Sequence, residues 1–209
     1  DPGGQIRLTA RSARRREMQS IIDWRMAQCT ARAVTFYFNT WAELEHVTEL
    51  NPDVVIIATG GIPNTELFES GAELENVVSS WDIIAGDVKP AEHVLIYDES
   101  GDHPALQAAE IASQTGAKVE VMTPDRVFAP DIMAMNLVPY MRSLQDKDVT
   151  FTVTRRLLTV RREGNKLIAT IGTDYSDYSD EQEYDQVVLN YGTLPLDELY
   201  FDLKPLSSN

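Results

Sequence analysis

The chain has one cysteine in 209 residues, Cys29. That excludes an intrachain disulfide and any metal cluster held by these residues' cysteines alone. It also makes a reducing cytoplasm the simplest compartment. Basic residues are scarce as well: 18 Lys and Arg stand against 33 Asp and Glu, a formal net charge of -15. A phosphate backbone or an anionic membrane surface is repelled by such an excess, so neither nucleic acid nor membrane is an expected partner. No apolar run approaches the ~18 residues of a membrane span. The N-terminus lacks the charged-then-apolar pattern of a signal peptide. It also lacks an initiator Met and opens abruptly on "DPGGQ", so we expect a piece of a longer polypeptide. What is present is ordinary in bulk. With 43% hydrophobic and 24% charged residues the chain has apolar matter for a sizeable core, in one large domain or two small ones.

The pattern along the chain alternates. Ser12 to Ala33 reads as a helix with Met18, Ile21, Ile22, Met26 and Cys29 on one stripe. Val34 to Phe38 is β-branched and aromatic and predicts a strand; Trp41 to Leu50 predicts a short helix stopped by Asn51-Pro52. Asp53 to Thr59 (DVVIIAT) is a continuous apolar run, the mark of a strand buried on both faces, and "GGIPNT" follows as a loop. Residues 66–92 are less regular, with a helical turn at Ser80 to Ala85. Val94 to Tyr97 reads as a strand, Ala105 to Thr115 as a helix stopped by Gly116, and Lys118 to Met122 as another strand. Ile132 to Gln145 is apolar at helical spacing, kinked or restarted at Pro139. Four strands then follow at Val149 to Thr154, Arg156 to Arg162, Lys166 to Ile171 and Glu183 to Asn190. "REGNKL" supplies a hairpin turn, and the acidic stretch Thr173 to Asp185 reads as a solvated connection. Leu196 to Leu203 predicts a short amphipathic helix. The fold class expected is α/β: a three-layer, Rossmann-like parallel sheet with helices on both faces and a small antiparallel β-meander.

Three short stretches carry the chemistry. In "DPGGQ", Gly3 and Gly4 let backbone pass close to a ligand and Gln5 offers both a donor and an acceptor, although a plain Pro-Gly turn explains the same residues. In "ATGGIPNT", a buried strand ending in Thr59, Gly60 and Gly61 delivers a loop without bulky side chains to the carboxyl edge of the sheet, where open α/β sheets bind ligands. The third stretch, Asp98 to His103, sits between a strand and a helix where a dinucleotide fold carries a glycine fingerprint, yet only Gly101 is a glycine.

"PGGQ", a long helix, "DVVIIATGG-P" and a second β-α-β unit together resemble the C-terminal part of the flavoprotein family that includes trimethylamine dehydrogenase and 2,4-dienoyl-CoA reductase. "GDHPALQAAEIA", "KVEVMTPDR" and "GTLPLDELYFDLKP" resemble its branch of N-methylproline and dimethylglycine demethylases. The Ala-Thr-Gly-Gly motif is specific only for the wider superfamily. The resemblance implies that residues 1–65 are the remainder of an FAD/ADP-binding domain, 66–190 a degenerate NAD(P)-binding-like domain, and 191–209 a return segment toward the first. It implies FAD or ADP held by Gly3, Gly4, Gln5, Thr59, Gly60 and Gly61. It also implies FMN and a 4Fe-4S cluster in a flavin barrel that would precede Asp1. That barrel is then the chain's first partner, with an electron-transfer protein and a homo-oligomer as further possibilities. No catalytic residue and no metal ligand is assigned within these 209 residues.

For the third stretch the expectation is negative. Asp98, Glu99 and Asp102 bring up to three negative charges to where two phosphate charges would sit, so NAD(P)H is not expected there. The next strand ends at Met122-Thr123-Pro124 without an acid for a ribose hydroxyl, with Asp125 a late substitute. Asp102 and His103 look like a dyad but no nucleophile is pinned near them, and the cluster matches no established metal spacing. His46 and His93 read as surface or capping residues, and Trp24, Trp41 and Trp81 as packing residues. Arg11, Arg14, Arg15 and Arg16 form the one dense basic cluster, open to a cofactor phosphate or to a solvated helix start. Three readings follow: the nucleotide-binding region of a flavin-dependent amine demethylase, the same region of an NAD(P)H-dependent enoate reductase, or a non-catalytic docking module for an electron-transfer partner. The missing fingerprint favours the first and third.

Overall fold

The structure, a computed structural model, describes residues 2–65 and 74–206. The chain divides into two compact units, Asp1–Ile62 with Thr193–Asn209, and Pro63–Gly192. Part of the irregular stretch expected at 66–92 lies outside the described residues.

The first unit holds α1 (Gln5–Thr9), a 3-10 turn at Ala13–Met18, α2 (Gln19–Ala31) and α3 (Leu44–Glu49). The short strand β1 (Gly61–Pro63) pairs with a late strand at Thr193–Pro195. The helix expected over Ser12 to Ala33 is therefore broken. Its first turn is a 3-10 segment in which Arg15 leaves helical geometry, and only Ile22 of the predicted stripe is buried. The Trp41 to Leu50 helix shortens to α3, where the backbone N–H of Glu43 donates to His46 Nδ1 at 3.2 Å as half of a capping box. Val34 to Phe38 and Asp53 to Thr59, both expected as strands, form no strand in this structure. Val54 is 77% and Ile56 85% exposed. Their composition suits a sheet, but a strand exists only where a neighbour supplies the ladder of N–H and C=O partners. "GGIPNT", read as a loop, begins instead with β1.

The second unit holds β2 (Val77–Ser79), α4 (Ser80–Ala85), β3 (His93–Asp98), α5 (His103–Gln114), β4 (Lys118–Met122), α6 (Ala134–Leu144) and β5 (Val149–Thr152). The meander β6 (Arg156–Glu163), β7 (Lys166–Thr173) and β8 (Ser176–Tyr184) follows, then β9 (Gln186–Asn190). β10 (Thr193–Pro195) and α7 (Glu198–Leu203) return to the first unit. Five strands form one parallel sheet in the order β2-β9-β3-β4-β5. β9 is buried at every position, and β3 from Val94 onward, as expected of strands covered on both faces. Alternation sorts the two faces. Leu95, Tyr97, Val187 and Leu189 share a core with Leu157, Leu167, Ile171 and Tyr184 of the antiparallel meander. Val94 and Ile96 point to the opposite face, where α5 packs with its buried Ala105, Ala108 and Ala109. The α/β class with a parallel sheet and a small meander is thus as the sequence predicted.

One reading in this unit is corrected. The acidic Thr173 to Asp185 stretch is not a solvated connection; most of it is β8. Acid-rich composition concealed the alternation, in which Asp180, Gln182 and Tyr184 turn inward while Glu181 and Glu183 face solvent. β7 supplies the ladder, and Arg161 on β6 meets Glu181 at 2.6 Å. Pro139 sits inside α6 without dividing it.

Candidate functional site

Gly60 and Gly61 lie where a buried strand was expected to end. Gly60 adopts φ 70° and a side chain there would meet nothing within 4 Å. Its backbone is open to a close approach that only glycine permits without strain. Gly61 differs: an added Cβ would lie 2.3 Å from the carbonyl oxygen of Leu194, so its missing side chain admits β10. The return segment is tied down further. Thr59 Oγ1 donates to the Leu196 carbonyl, and the Leu196 N–H donates to the Gly60 carbonyl at 3.0 Å. Thr59, Gly60 and Gly61 are thus brought together with residues 193–196.

Gly4 caps the start of α1 with φ 46° and is open, like Gly60. Gly3, at φ 106°, is closed: a Cβ would lie 2.2 Å from Ile22 Cδ1 on α2. The close approach at Gly3 is therefore to the chain itself. Gln5 begins α1, and its carbonyl accepts from Thr9 Oγ1 at 3.2 Å. Among the described residues no hydrogen bond joins Gly3, Gly4 or Gln5 to Thr59, Gly60 or Gly61.

Beside Thr59 the first unit forms an open cleft of about 660 Å³ that Trp41, Glu43, Leu196, Glu198 and Asp202 help to line. Carboxylates only accept, so whatever faces them must donate; hydroxyl and amino groups suit this wall and phosphate does not. Of the six predicted residues only Thr59 lines it. Trp41 was read as packing and is 67% exposed. Glu43 precedes α3 while Glu198 and Asp202 lie on α7, so no local spacing reveals this wall.

Asp98 and Gly101 of the Asp98 to His103 loop are buried, and the residues between and after them are half-buried and bonded. Asp98 is 1% exposed; loss of hydration, with a smaller push from Asp102, drives its carboxyl up to about 6. Glu99 is paired rather than loose, accepting from Arg156 and from Tyr97 Oη. Burial, and then that bond, raises the Tyr97 phenol well above its ordinary range. Asp102 accepts from Asn190 Nδ2 at 3.0 Å, and His103 Nδ1 lies 3.4 Å from Tyr140 Oη. The three acids therefore do not present three free charges. Asn190, which no local spacing singles out, ties the loop together: its amide donates to Asp98 and Asp102, and its carbonyl accepts from the Glu99 N–H.

No protein-family profile matches the chain. It is 65% identical over 209 residues to the probable N-methylproline demethylase of Rhizobium meliloti (strain 1021), a match covering all of this chain and 30% of that protein. It is 34% identical over 212 residues to the N,N-dimethylglycine/sarcosine dehydrogenase of Chromohalobacter salexigens, covering 99% of this chain and 30% of that one. The 6-hydroxypseudooxynicotine amine oxidase of Pseudomonas geniculata N1 has the same fold, with TM-score 0.83 at 24% identity over 99% of this chain and 32% of that one. The chain spans about 30% of the length of the curated relatives it matches. The flavoprotein disulfide reductase RclA of Escherichia coli shares part of the fold, with TM-score 0.53 at 15% identity over 71% of this chain and 31% of that one. The chain is related in sequence to both of the curated proteins, and the histamine dehydrogenase of Rhizobium sp. 4-9 shares its fold, with TM-score 0.79 at 19% identity over 98% of this chain and 32% of that one. Among the described residues no helix is long and apolar enough to cross a membrane.

Proposed function

We propose that this chain is the adenine-nucleotide-binding and scaffold region of a flavin-dependent oxidoreductase that oxidatively demethylates a secondary or tertiary amine of the N-methylproline or dimethylglycine type. The observation that carries this reading is the 65% identity, sustained over all 209 residues, to the probable N-methylproline demethylase. Residues 1–65 and 191–209 make up the FAD/ADP-binding part, and 66–190 form a degenerate NAD(P)-like unit. FMN and a 4Fe-4S cluster belong to a barrel outside this chain, and the enzyme works in the cytoplasm with an electron-transfer protein as acceptor.

Two features support a nucleotide at the first unit. Gly4 and Gly60 offer open backbone at positive φ, and the cleft beside Thr59 is walled by hydrogen-bond acceptors. A nucleotide's hydroxyl and amino groups fit that wall, with its phosphates directed to the glycines. Gly3 and Gly61 contribute by letting α2 and β10 come close. Bound flavin supplies the two-electron oxidation of an N-methyl group. This chain's residues hold the nucleotide and shape its surroundings, and none of them touches the reacting carbon.

The exposed apolar runs 34–38 and 53–59 support a further part of the reading. They have the composition of buried strands and present an apolar surface of the kind that marks an interaction site. Additional sheet from the parent polypeptide covers them. The test is formaldehyde release from N-methylproline and dimethylglycine by the longer flavoprotein with an artificial acceptor, beside the 209-residue chain supplied with FMN and FAD. The longer protein is expected to turn over and the chain alone to be inactive. Turnover by the chain alone, or none by the longer protein with either amine, overturns the proposal.

A further inference from the structure

The unit built on β3, α5 and β4 has the supporting frame of a dinucleotide site, and the N–H groups of its loop from Glu99 to Gly101 are all engaged within the chain. A pyrophosphate between strand and helix needs N–H groups from the loop and from the first helical turn, and backbone clear of side chains for close approach. Here the Glu99 N–H donates to the Asn190 carbonyl at 3.0 Å. The Ser100 and Gly101 N–H groups donate to Asp98 Oδ1 at 3.1 and 3.0 Å. Pro104, in the first turn of α5, has no N–H to give. Gly101 keeps the positive φ of a glycine that a ligand could pass, 67°, but a Cβ there would lie 2.6 Å from Pro130 Cδ. Its carbonyl accepts from the Asp131 N–H at 3.1 Å, which fixes the 130–131 backbone over the loop.

The acceptor in the middle is itself anchored. Asn190 Nδ2, at the end of the neighbouring strand β9, donates to Asp98 Oδ1 at 2.8 Å and to Asp102 Oδ1 at 3.0 Å. Ser80 Oγ donates to Asn190 Oδ1 at 3.0 Å and sets the amide's orientation. Asp98 thus sits as a buried anion where the loop's N–H groups converge.

We propose that Asp98 is the loop's own internal anion, and that Asp98, Asn190 and Pro130 are the specificity-determining residues that exclude NAD(P)H from the second unit. Asp98 takes the N–H groups a phosphate needs, Asn190 holds it there, and Pro130 occupies the face over which a pyrophosphate would pass. The exclusion rests on the proposed function: an enzyme that draws electrons from its amine has no use for a nicotinamide donor, and a closed loop keeps one from competing.

The test uses ¹⁵N-labelled chain with the Ser100 and Gly101 amide signals as reporters, titrated with NADH and with inorganic phosphate. In the unaltered chain neither probe should move them. In Asp98→Gly, phosphate should move both saturably, with affinity gained by at least about tenfold. Adding Pro130→Ala should extend that response to NADH. Asp98→Asn keeps an oxygen acceptor for the two N–H groups and should stay closed, so it serves even if the glycine variants fold poorly. Saturable NADH shifts in the unaltered chain overturn the proposal. So do folded glycine variants that respond no more than the unaltered chain, or an asparagine variant that binds phosphate. None of these readings involves turnover, so an open loop in an active demethylase sinks only this inference, and a closed loop in an inactive one sinks only the proposed function.

Discussion

Replacing Asp98 by Asn removes one titration from the core and should change how stability depends on pH. The folded carboxyl titrates at about 6, against 3.8 for the free group. Below the lower value both states carry the proton and the group contributes nothing unfavourable. Between the two, the unfolded state ionises while the folded state holds its proton, so stability falls as pH rises; above the folded value the loss is complete, at about 3 kcal/mol. Between about pH 4.5 and pH 7.5 the unaltered chain should therefore lose about 2 kcal/mol that Asp98→Asn does not. The variant's oxygen can still accept from Ser100, Gly101 and Asn190, so the loop keeps its shape. Carboxylates remote from the loop keep the same surroundings in both proteins and cancel in the difference. Urea unfolding followed by circular dichroism at several pH values gives that difference directly. A difference flat with pH would refute the reasoning, because it would mean that Asp98 is hydrated and ordinary.

Tyr184→Phe removes a hydroxyl that lies 2.7 Å from both Glu120 Oε2 and Gln182 Oε1 and has one proton to donate between them. It should destabilise the second unit by about 1–3 kcal/mol in urea unfolding, since Glu120 loses a partner at the edge of the core. Gly61→Ala drives a Cβ into the Leu194 carbonyl and should part β1 from β10. Hydrogen exchange at the Leu196 and Asn64 amides, whose acceptors are Gly60 and Gly192, should quicken while that of β3 and β9 stays slow.

The centre of the second unit was legible because β3 carries a continuous apolar run, Val94 to Tyr97, and α5 stops just before Gly116, which adopts φ 87°. Such signals are local and need no knowledge of neighbours. β8 was missed because surface acids at every other position look like a loop until a partner strand is seen. The predicted strands of the first unit failed in the opposite sense: the composition is right, but no ladder partner is present among the described residues. At the site, glycine spacing revealed where backbone comes close without revealing to what. Gly60 and Gly4 are open, whereas Gly3 and Gly61 admit Ile22 and Leu194. Asn190 and Pro130 were invisible because each acts on a loop that is distant in sequence.

The central claim is that nucleotide binds at the Gly60 edge and not in the Asp98 loop. Calorimetric titration of ADP and NADH into the longer flavoprotein, unaltered and with Gly60→Asn or Gly101→Asn, tests it most directly. Asn tolerates the left-handed backbone, so the first change fills the approach with little strain. ADP affinity should fall by about a hundredfold in the Gly60 variant and stay unchanged in the Gly101 variant, with no NADH binding in any of the three. Tight NADH binding that the Gly101 change abolishes, with ADP indifferent to Gly60, would show that the two loops have been assigned the wrong way round.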